Sequence, residues 1–440
     1  MNKKTFVLCV LVCITIKIKS QQDTTKKLPF KIADEKRLSD EDLAHKREGF
    51  YVTGVPQLSS DPVNGFGYGA EGILFFNGKK TDPLFEYTPY REKISLSVFN
   101  TTKNQNEVVL GLDVPYIFNS KWRVRVESIY ENDPNMLYFG VSEKTLQGLI
   151  NPQSGASFSS YDDYKNSLTG NYKNYNRYTQ KNNITLNLSG EYSFFQGKMR
   201  AVVGYRFADI HSNPYAGQSL LQTDFLIGTT FGVGHSLVTM LQTGLVYDTR
   251  DLESDPNKGV FAEITNELSQ NFLGSQFNFN KSLLHIKVFQ RLFPKKFKKV
   301  ILAARFGISG LAGNAPFYEY QEVWSSEGGI YGVNGGSFVL RGYKQSRFVA
   351  NWVDFSNIEI RARFVQFKVL KQHIALSAVP FFDVAGVGNN FSRLFGYAAN
   401  YNYAEGLGLR LAWNVNTILR FDYAFSKEDR QFFFQFGHAF

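Results

Sequence analysis

The 440-residue sequence is poor in the residues on which thiol and metal chemistry depend. It has two cysteines, Cys9 and Cys13, and both fall within the first twenty residues. If that leader is removed, the mature chain has no thiol, which excludes disulfides and thiolate metal sites. The six histidines show no H-E-x-x-H motif and no other close metal-ligand spacing, so we expect neither a metal nor a cofactor.

Long apolar runs are also missing. No stretch approaches the roughly 18 consecutive apolar residues of a membrane-spanning helix, which excludes a helical membrane protein. A shorter run does open the chain: Lys3 and Lys4 precede apolar residues from Phe6 to Ile16, and the small residue Ser20 follows. This three-part pattern predicts a secretory signal peptide over residues 1–20.

Neither sign of charge dominates the sequence. The formal net charge is +10, and removal of the predicted leader takes away four lysines and no acid. A mildly basic surface is compatible with outer-membrane lipid, including lipopolysaccharide, but is too weak to indicate nucleic-acid binding. A composition that is 43% hydrophobic and 16% aromatic excludes a disordered chain.

A charged segment precedes the part of the chain that is predicted to fold. Of the 28 residues from 21 to 48, 14 are Asp, Glu, Lys or Arg, and few apolar side chains remain to form a core. We predict a solvated tail on the periplasmic side. The alternative is a short helix through Arg47, opened by a capping box of Ser39 and Asp42.

After Phe50 the sequence consists of short stretches in which every second residue is apolar, which is the periodicity of β-strands. We count about sixteen such stretches, at 50–56, 65–77, 92–102, 107–118, 121–133, 179–195, 198–212, 236–250, 259–272, 277–293, 298–312, 351–366, 372–388, 404–414, 417–427 and 431–440. An even number of strands is typical of bacterial outer-membrane barrels.

The two faces of these predicted strands distinguish a barrel from a soluble sandwich. Ile358 and Ile360 alternate with Glu359 and Arg361, so one face is apolar and the other is ionic. A soluble sandwich buries the apolar face, whereas a transmembrane barrel turns it to lipid and keeps the charges in its lumen. The leader and the apolar stripes favour the barrel. Its predicted row of lumen charges is Glu359, Arg361, Arg363, Arg410, Arg420 and Asp422.

The predicted connections fall into a short class and a long class. The short ones lie at 119–120, 196–197, 294–297 and 414–416, and the long ones at 134–178, 213–235, 313–350 and 389–403. Short periplasmic turns and long outer loops are typical of outer-membrane barrels. The sequence therefore predicts an all-β protein, a transmembrane antiparallel barrel over residues 49–440, with both chain ends on the periplasmic side of the outer membrane of a Gram-negative bacterium.

The glycine-rich loop 313–350 carries a candidate lock, the run Leu340, Arg341, Gly342 and Tyr343. The parity of the apolar residues on the strand 372–388 places Asp383 on the lumen face. If the loop folds inward, Arg341 meets Asp383, and a charge-assisted hydrogen bond holds the loop there. Charge reversal of either residue should then impair the protein, and exchange of the two should partly restore it.

Five short motifs resemble the barrel of the BamA/TamA bacterial surface antigen family. They are Leu340-Arg341-Gly342-Tyr343; Asn357-Ile358-Glu359-Ile360-Arg361; the segment from Phe381 to Gly386; Gly406-Leu407-Gly408-Leu409-Arg410 with Leu419-Arg420-Phe421-Asp422-Tyr423-Ala424; and Tyr247-Asp248-Thr249-Arg250-Asp251 with Pro256 and Lys258-Gly259. Each is weak alone, but five in family order are specific. The resemblance covers residues 245–440 and implies a sixteen-stranded barrel with an inward-folded loop that carries the Arg-Gly-aromatic tip.

The resemblance also implies a role for the C-terminal stretch, residues 431–440. This stretch is similar to the signal by which outer-membrane proteins are recognised for insertion. The aromatic residues that carry the similarity are Phe432, Phe434, Phe436 and Phe440. Family insertases usually carry periplasmic POTRA domains before the barrel, and residues 21–48 are too few for even one. We therefore expect a form without these domains, which recruits clients through a periplasmic or surface partner protein.

Three functions from different classes fit the sequence. The first, implied by the resemblance, is insertion or translocation of client proteins through the seam between the first and last strands. The second is a passive channel, or a scaffold that binds partners through the tyrosine-rich loop 134–178 and loop 213–235. The third is a lipid-modifying enzyme that uses His235 and Ser236, but no residue that would orient the base is identifiable, so we expect no enzyme.

Overall fold

The computed structural model describes residues 27–61, 63–294, 299–333, 335–370, 372–394, 401–414 and 416–440. The predicted signal peptide, residues 1–20, lies outside the described residues. Across the described ranges, no helix combines the length and the apolar character needed to cross a membrane.

Sixteen strands form one antiparallel sheet, in which each strand pairs with its neighbours in the chain. They are β1 Phe50–Asp61, β2 Gly65–Phe76, β3 Glu92–Thr101, β4 Asn106–Val114, β5 Trp122–Leu137, β6 Arg177–Phe194, β7 Met199–Pro214, β8 Gly234–Asp248, β9 Gly259–Ser269, β10 Phe279–Arg291, β11 Val300–Gly313, β12 Trp352–Val369, β13 Gln372–Gly388, β14 Tyr401–Trp413, β15 Thr417–Phe425 and β16 Arg430–Phe436. The predicted number of strands is confirmed. The largest difference is at β1, which runs on to Asp61, and β16 already ends at Phe436.

The helical segments are short and lie outside the sheet. The α-helices are α1 Asp40–His45, α2 Tyr161–Ser167, α3 Leu220–Leu226 and α4 Phe391–Leu394. Single 3-10 turns lie at Asp34–Lys36, Pro83–Glu86, Ile117–Asn119, Glu143–Leu146, Gly170–Tyr172, Phe195–Gly197, Asn271–Leu273 and Phe317–Gln321. Two small hairpins pair Leu149–Ile150 with Ser157–Phe158 and Glu322–Ser325 with Gly329–Gly332.

The strands turn apolar side chains outward and polar side chains inward. On β7, Val203 and Tyr205 are exposed while Arg206 is buried, and on β12 Ile358 is exposed while Glu359 is buried. This distribution is the reverse of that in a soluble protein, where charged side chains lie on the surface. It is the arrangement of a barrel in lipid, and it rules out the soluble sandwich.

The sheet curls until its two edge strands, β1 and β16, lie against each other. In the part of the chain that the structure describes, no ladder of backbone hydrogen bonds joins these two strands. β1 has 12 residues and β16 has 7, so the last strand is too short to cover the whole edge of the first. We call this junction the seam.

The two ends of the barrel differ in their connections. Connections that follow odd-numbered strands lie at one end, which we call the loop end, and those that follow even-numbered strands lie at the other, the tail end. The longest, residues 138–176, 215–233 and 314–351, all belong to the loop end. The predicted division into short and long connections is only partly correct, since 77–91 and 249–258 at the tail end are also extended.

The connection after β11, residues 314–351, folds into the barrel and is called the inward loop below. Its buried apolar side chains, Leu340 and Tyr343 among them, pack with Leu283, Phe355 and Ala385 of the barrel wall. Burial of apolar side chains against the wall stabilises the loop inside the lumen. The inward-folded loop that the sequence predicts is therefore present.

The segment before β1 is docked on the tail end, so the predicted solvated tail is wrong for the described residues. The Ala33 amide donates to the Gln196 carbonyl over 2.9 Å, and the Leu38 amide donates to the Glu86 carbonyl over 2.8 Å. Leu38 also packs against Leu252. A segment with few apolar side chains can fold here because the barrel supplies the surface that it lacks by itself.

The alternative for this segment is correct in its N-cap, Ser39, but the helix ends at His45 and does not run through Arg47. Ser39 is the N-cap of α1: its Oγ accepts from the Asp42 amide over 3.1 Å and donates to the Asp42 carboxylate over 2.6 Å. The helix ends at His45, and the next residue, Lys46, is buried. Lys46 Nζ donates to carbonyls of the connection after β2, which fixes the helix to the barrel.

Candidate functional site

The tip of the inward loop is shaped by a glycine. Gly342 has a φ of +94°, which L-residues rarely adopt, and a Cβ there would stand 3.0 Å from the carbonyl carbon of Phe425. Ser426 Oγ donates to the Gly342 carbonyl over 2.6 Å. The glycine thus brings the loop backbone against the end of β15, and Arg341 before it points into the lumen.

Arg341 is fully buried and contacts three carboxylates from three strands. Its Nε and Nη2 donate to the two oxygens of Asp383 over 2.8 and 2.9 Å, and its own amide donates to Asp383 over 3.1 Å. Its Nη1 donates to Glu359 over 2.9 Å and to Asp422 over 2.8 Å. The guanidinium lies 3.5 Å from the ring centroid of Phe381. One side chain therefore ties the loop to β12, β13 and β15.

Further arginines of the predicted lumen row surround these carboxylates. Arg410 donates to Asp422 over 2.5 Å and to Glu359 over 3.2 Å, and Arg361 donates to Glu359 over 2.9 Å. Arg420 donates to the Ser337 carbonyl of the inward loop over 2.9 Å. Buried charges that are paired on several sides hold their partners in one geometry, so this part of the wall and the loop form a single block.

One residue of the predicted row does not belong to this block. Arg363 lies at the tail end, where its Nη2 is 3.2 Å from Asp255, and Glu41 of α1 is 3.8 Å away. The alternation of β12 places it on the same face as Arg361, but two residues further along the strand and closer to the end. The alternation of side chains along a strand predicts the face on which a residue lies, but it does not predict how deep in the lumen the residue lies.

Sequence reasoning missed several residues of the block. Asn357 Nδ2 donates to the Asp383 carboxylate and to the Val339 carbonyl, both over 2.6 Å. Arg305 on β11 donates to the Asn357 amide oxygen over 2.9 and 2.7 Å. The signals for Asn357 were its place in a family motif and its position on the same strand face as Glu359. Arg305 is the one charged residue of the strand β11, which is otherwise largely apolar. Such an isolated charge indicates a side chain that points into the lumen.

A second group of ion pairs anchors the middle of the inward loop. Glu263 on β9 accepts from Ser325 Oγ over 2.5 Å and from the Ser326 amide over 3.0 Å. Glu327 at the hairpin turn lies 2.6 Å from Arg250 and 2.8 Å from Lys287. Arg250 also contacts Asp248, so the family motif at residues 247–251 contacts the loop hairpin.

The last residues of the chain leave the wall. Gly437, with a φ of +75°, follows β16, and Phe440 packs with Phe289, Ile301 and Ala303 on the lumen side. Arg361 donates to the Phe440 backbone oxygen over 2.9 Å. The sequence prediction that the strand extends through Phe440 is wrong, because the glycine redirects the chain into the lumen.

The other C-terminal phenylalanines occupy β16 and differ in exposure. Phe432 is 47% exposed on the outer face, and Phe434 stacks on Phe421 of β15 with ring centroids 4.5 Å apart. Phe436 packs against Tyr51 and the cluster around it, which lies on the inner side of β1 and β2. β16 therefore bends inward as it approaches the tail end.

Near the tail end, beyond the last residue of β16, side chains connect β1 to the start of β15. Asn416 Nδ2 donates to the Tyr51 hydroxyl over 2.9 Å, and the hydroxyls of Thr53 and Thr417 are 3.5 Å apart. His438, which follows β16, has its Nε2 atom 3.3 Å from a carboxylate oxygen of Asp255. Burial alone would raise the pKa of Asp255, but Lys299 and His438 outweigh it and hold that pKa well below its ordinary value. Near the tail end, the packing of Phe436 on Tyr51 and a few polar contacts between β1 and the start of β15 thus hold the edges together.

The proposed base and nucleophile of a lipid-modifying enzyme point in opposite directions. His235 is exposed on the outer face of β8, while Ser236 is buried on the inner face. An orienting carboxylate does exist, since His235 Nε2 is 2.7 Å from Asp209. The strand separates the serine from the histidine, however, so these residues cannot act as one catalytic group.

These features together define a class of protein: an outer-membrane β-barrel whose lumen is filled by its own loop and whose edge strands meet at a seam. The Omp85 superfamily domain matches residues 91–440, and the chain belongs to this superfamily. Barrels of this superfamily lie in the Gram-negative outer membrane and insert or translocate proteins. A second family, "Domain of unknown function (DUF5982)", matches residues 28–91, which include α1, β1 and β2.

Solved structures with the same fold include two barrels of this kind. BamA from Haemophilus ducreyi, in a form lacking POTRA domains 1–3, has 15% identity and a TM-score of 0.50, with 89% of this chain and 70% of that chain covered. CdiB from Escherichia coli has 12% identity and a TM-score of 0.53, with 88% of this chain and 62% of that chain covered. No curated protein matches the sequence. At these identities the likeness shows the fold alone.

Proposed function

We propose that this barrel assists insertion or translocation of client proteins at the outer membrane, and that a client strand pairs at the seam. Membership of the Omp85 superfamily supports the general role. The observation that carries the specific role is the seam itself, where 12 residues of β1 face 7 residues of β16 without a described ladder.

An unpaired strand edge in a bilayer is unstable. Each backbone N–H or C=O without a partner in the hydrocarbon region costs several kcal/mol, so an added strand that pairs with β1 is strongly stabilised. Addition of a strand to an exposed edge needs few specific side chains, because main-chain hydrogen bonds provide the affinity. This mode suits a barrel that handles clients of differing sequence.

The wall beside the seam is rigid on one side only. Arg341 and its partners connect β12, β13 and β15 to the inward loop, and β14 joins them through Arg410. On the other side, β2 contains four glycines, and the ion pairs of Arg341 include no residue of β1 or β2. We therefore place the opening movement in β1 and β2, with β16 held by its ladder to β15 and by the retracted C-terminal residues.

The proposed function also implies an orientation of the barrel in the membrane and a set of partners. The tail end would face the periplasm and the long loops the outside, with lipid, including lipopolysaccharide, around the apolar band. The division into a signal peptide over 1–20, a charged segment over 21–48 and a barrel over 49–440 remains our proposal. The docked segment would then present the exposed charges of α1 to a periplasmic partner protein.

Depletion in the native host, followed by quantitative proteomics of purified outer membranes, tests the proposal. A selective fall in other barrels or surface proteins, restored by the wild-type gene, is the expected result and names the clients. If only this protein disappears from the membrane, the assembly role is wrong. Conductance of the purified barrel in planar bilayers would then test the passive channel.

A further inference from the structure

Three ligand-type side chains lie together on the outer face of β7 and β8, at the loop end. His211 and His235 are direct partners in the register of the two strands, and Asp209 precedes His211 by two residues. The two imidazole rings stack with centroids 4.5 Å apart and planes inclined by 27°. Residues at i and i+2 of a strand share a face, so all three side chains project from the same side of the sheet.

The atoms that could bind a metal converge. His235 Nε2 is 2.7 Å and His211 Nδ1 is 3.7 Å from Asp209 Oδ1, and one ligand atom from each residue lies within 4.8 Å of the other two. The His211 Nδ1 atom is buried and has no hydrogen-bond partner within the described residues. An unsatisfied ring nitrogen that faces a carboxylate at 3.7 Å leaves a polar position for an ion between them.

We propose that Asp209, His211 and His235 form a binding site for a divalent transition metal ion, with Zn²⁺ as the most suitable. Two imidazoles and one carboxylate suit zinc, copper or nickel, whereas calcium and magnesium take oxygen ligands almost alone. Zinc binds nitrogen at about 2.0–2.1 Å and accepts three protein ligands with a water in the fourth position. The proposal requires side-chain rotations that bring the three atoms to these distances.

The site is open to the ion and outside the lumen. The side chains of His211 and His235 are 41% and 55% exposed, and that of Asp209 is 35% exposed. The long connection 215–233 starts and ends beside the site, because it joins β7 to β8. A bound ion would therefore link the two strand ends from which this loop emerges.

A second pair of stacked histidines in the same chain serves as a comparison for this site. His45 of α1 and His373 of β13 also stack, with ring centroids 3.8 Å apart, at the tail end. Among the described residues this second pair is not joined by a carboxylate at ligand distance, whereas the pair on β7 and β8 is. The proposal requires the pair of His45 and His373 to bind the ion much more weakly than the complete group of three.

Isothermal titration of ZnCl₂ into the full-length barrel tests this site, with the protein in detergent and purified without a polyhistidine tag. We expect one Zn²⁺ per chain, loss of this binding in His235→Ala and in His211→Ala, and at least tenfold weaker binding in Asp209→Asn. The matched variant His373→Ala should bind as the wild type does. Heat-dependent gel mobility verifies that each variant forms a folded barrel.

A visible spectrum with Co²⁺ provides a second measurement. Tetrahedral nitrogen and oxygen ligation should give a d–d absorption band in the wild type that His211→Ala and His235→Ala lack. The proposal is overturned if no saturable one-to-one binding occurs, or if folded His235→Ala binds Zn²⁺ as tightly as the wild type. It is equally overturned if His373→Ala, rather than the variants of the proposed site, removes the binding.

Discussion

The guanidinium of Arg341 forms two parallel hydrogen bonds with the carboxylate of Asp383, at 2.8 and 2.9 Å, across 42 residues of sequence. The sequence led us to expect this contact as an isolated pair. In the structure Arg341 also contacts Glu359 and Asp422, so it is the centre of a group that spans several strands. This difference changes what mutation of the pair should do.

Exchange of Arg341 and Asp383 should not restore the protein, in contrast to the expectation for an isolated pair. A carboxylate at position 341 would face Glu359 and Asp422, and like charges at such distances repel strongly when buried. We expect the double variant Arg341→Asp with Asp383→Arg to be at least as defective as either single variant. Complementation of a depleted strain, with membrane levels measured in parallel, checks this.

Arg341→Met should destabilise the folded barrel by about 3–5 kcal/mol, because three buried carboxylates lose a shared partner. Arg341→Lys should recover little, since an ammonium cannot donate the planar pair of hydrogen bonds to Asp383. Urea unfolding in detergent or lipid measures both. Arg393→Met is a suitable control, because Arg393 is exposed at the loop end and its pair with Glu143 contributes little. Equal stability of Arg341→Met and wild type would contradict the assignment of Arg341 as the centre of the group.

Gly342→Ala should displace the tip of the inward loop. The φ of +94° is unfavourable for alanine by about 1–2 kcal/mol, and its Cβ would press on the backbone at Phe425. Gly155→Ala is the matched control, with a φ of +72° and no atom within 4 Å of the added Cβ. Limited proteolysis should cut the inward loop in Gly342→Ala and leave it intact in Gly155→Ala.

A disulfide across the seam should block client handling. Thr53 and Thr417 have side-chain oxygens 3.5 Å apart, and the mature chain predicted from the sequence has no other cysteine to interfere. We expect Thr53→Cys with Thr417→Cys to fail in oxidised cells and to recover with a reductant. The pair Ser269→Cys and Ser275→Cys, whose hydroxyls are 2.8 Å apart away from the seam, should have no such effect. Full activity of the oxidised seam variant would exclude the seam as the client site.

Arg347→Ala should loosen the loop end. Arg347 donates to Glu428 over 2.7 and 2.9 Å, and to the carbonyls of Thr145 and Gln147 over 2.6 and 2.9 Å, so it joins three separate connections. We expect faster proteolysis of these connections and a higher conductance in planar bilayers than for the wild type. Unchanged conductance together with unchanged proteolysis would show that Arg347 does not hold the loop end together.

Docking of the segment before β1 should depend on pH. Burial lowers the pKa of Lys46 from 10.5 to about 7, so the docked state binds fewer protons than the released state between these values. Docking should therefore strengthen as the pH rises from 7 toward 10.5, and stay constant below 7 as far as Lys46 is concerned. Burial lowers the pKa of Lys36 as well, which acts in the same direction.

The rate of proteolysis before Phe50, measured across this pH range, checks the docking prediction. The rate should fall with rising pH in the wild type, and Lys46→Met should show a smaller dependence. A steeper dependence in Lys46→Met, or a rate that rises with pH in the wild type once the protease activity is normalised, would contradict it.

The sequence alone determined the sheet and the faces of its strands. The two-residue alternation fixes which side chains point outward, so the sixteen strands and the inward direction of Glu359 and Asp383 could be read without a structure. The family motifs identified the tip of the inward loop, since Arg341 and Gly342 stand in a recognisable order. These features are local or repeat along the chain, which is why a pattern in sequence is sufficient to find them.

Only the tertiary structure decided which distant residues meet. Arg341 reaches three strands, Arg363 lies apart from the row to which parity assigned it, and Phe440 leaves the wall after Gly437. The segment before β1 is ordered by a surface that the barrel alone provides. Asp209 and His235 are 26 residues apart, and strand pairing brings their side chains to 2.7 Å. Contacts of this kind depend on register, depth and curvature, and periodicity along one strand contains no information about them.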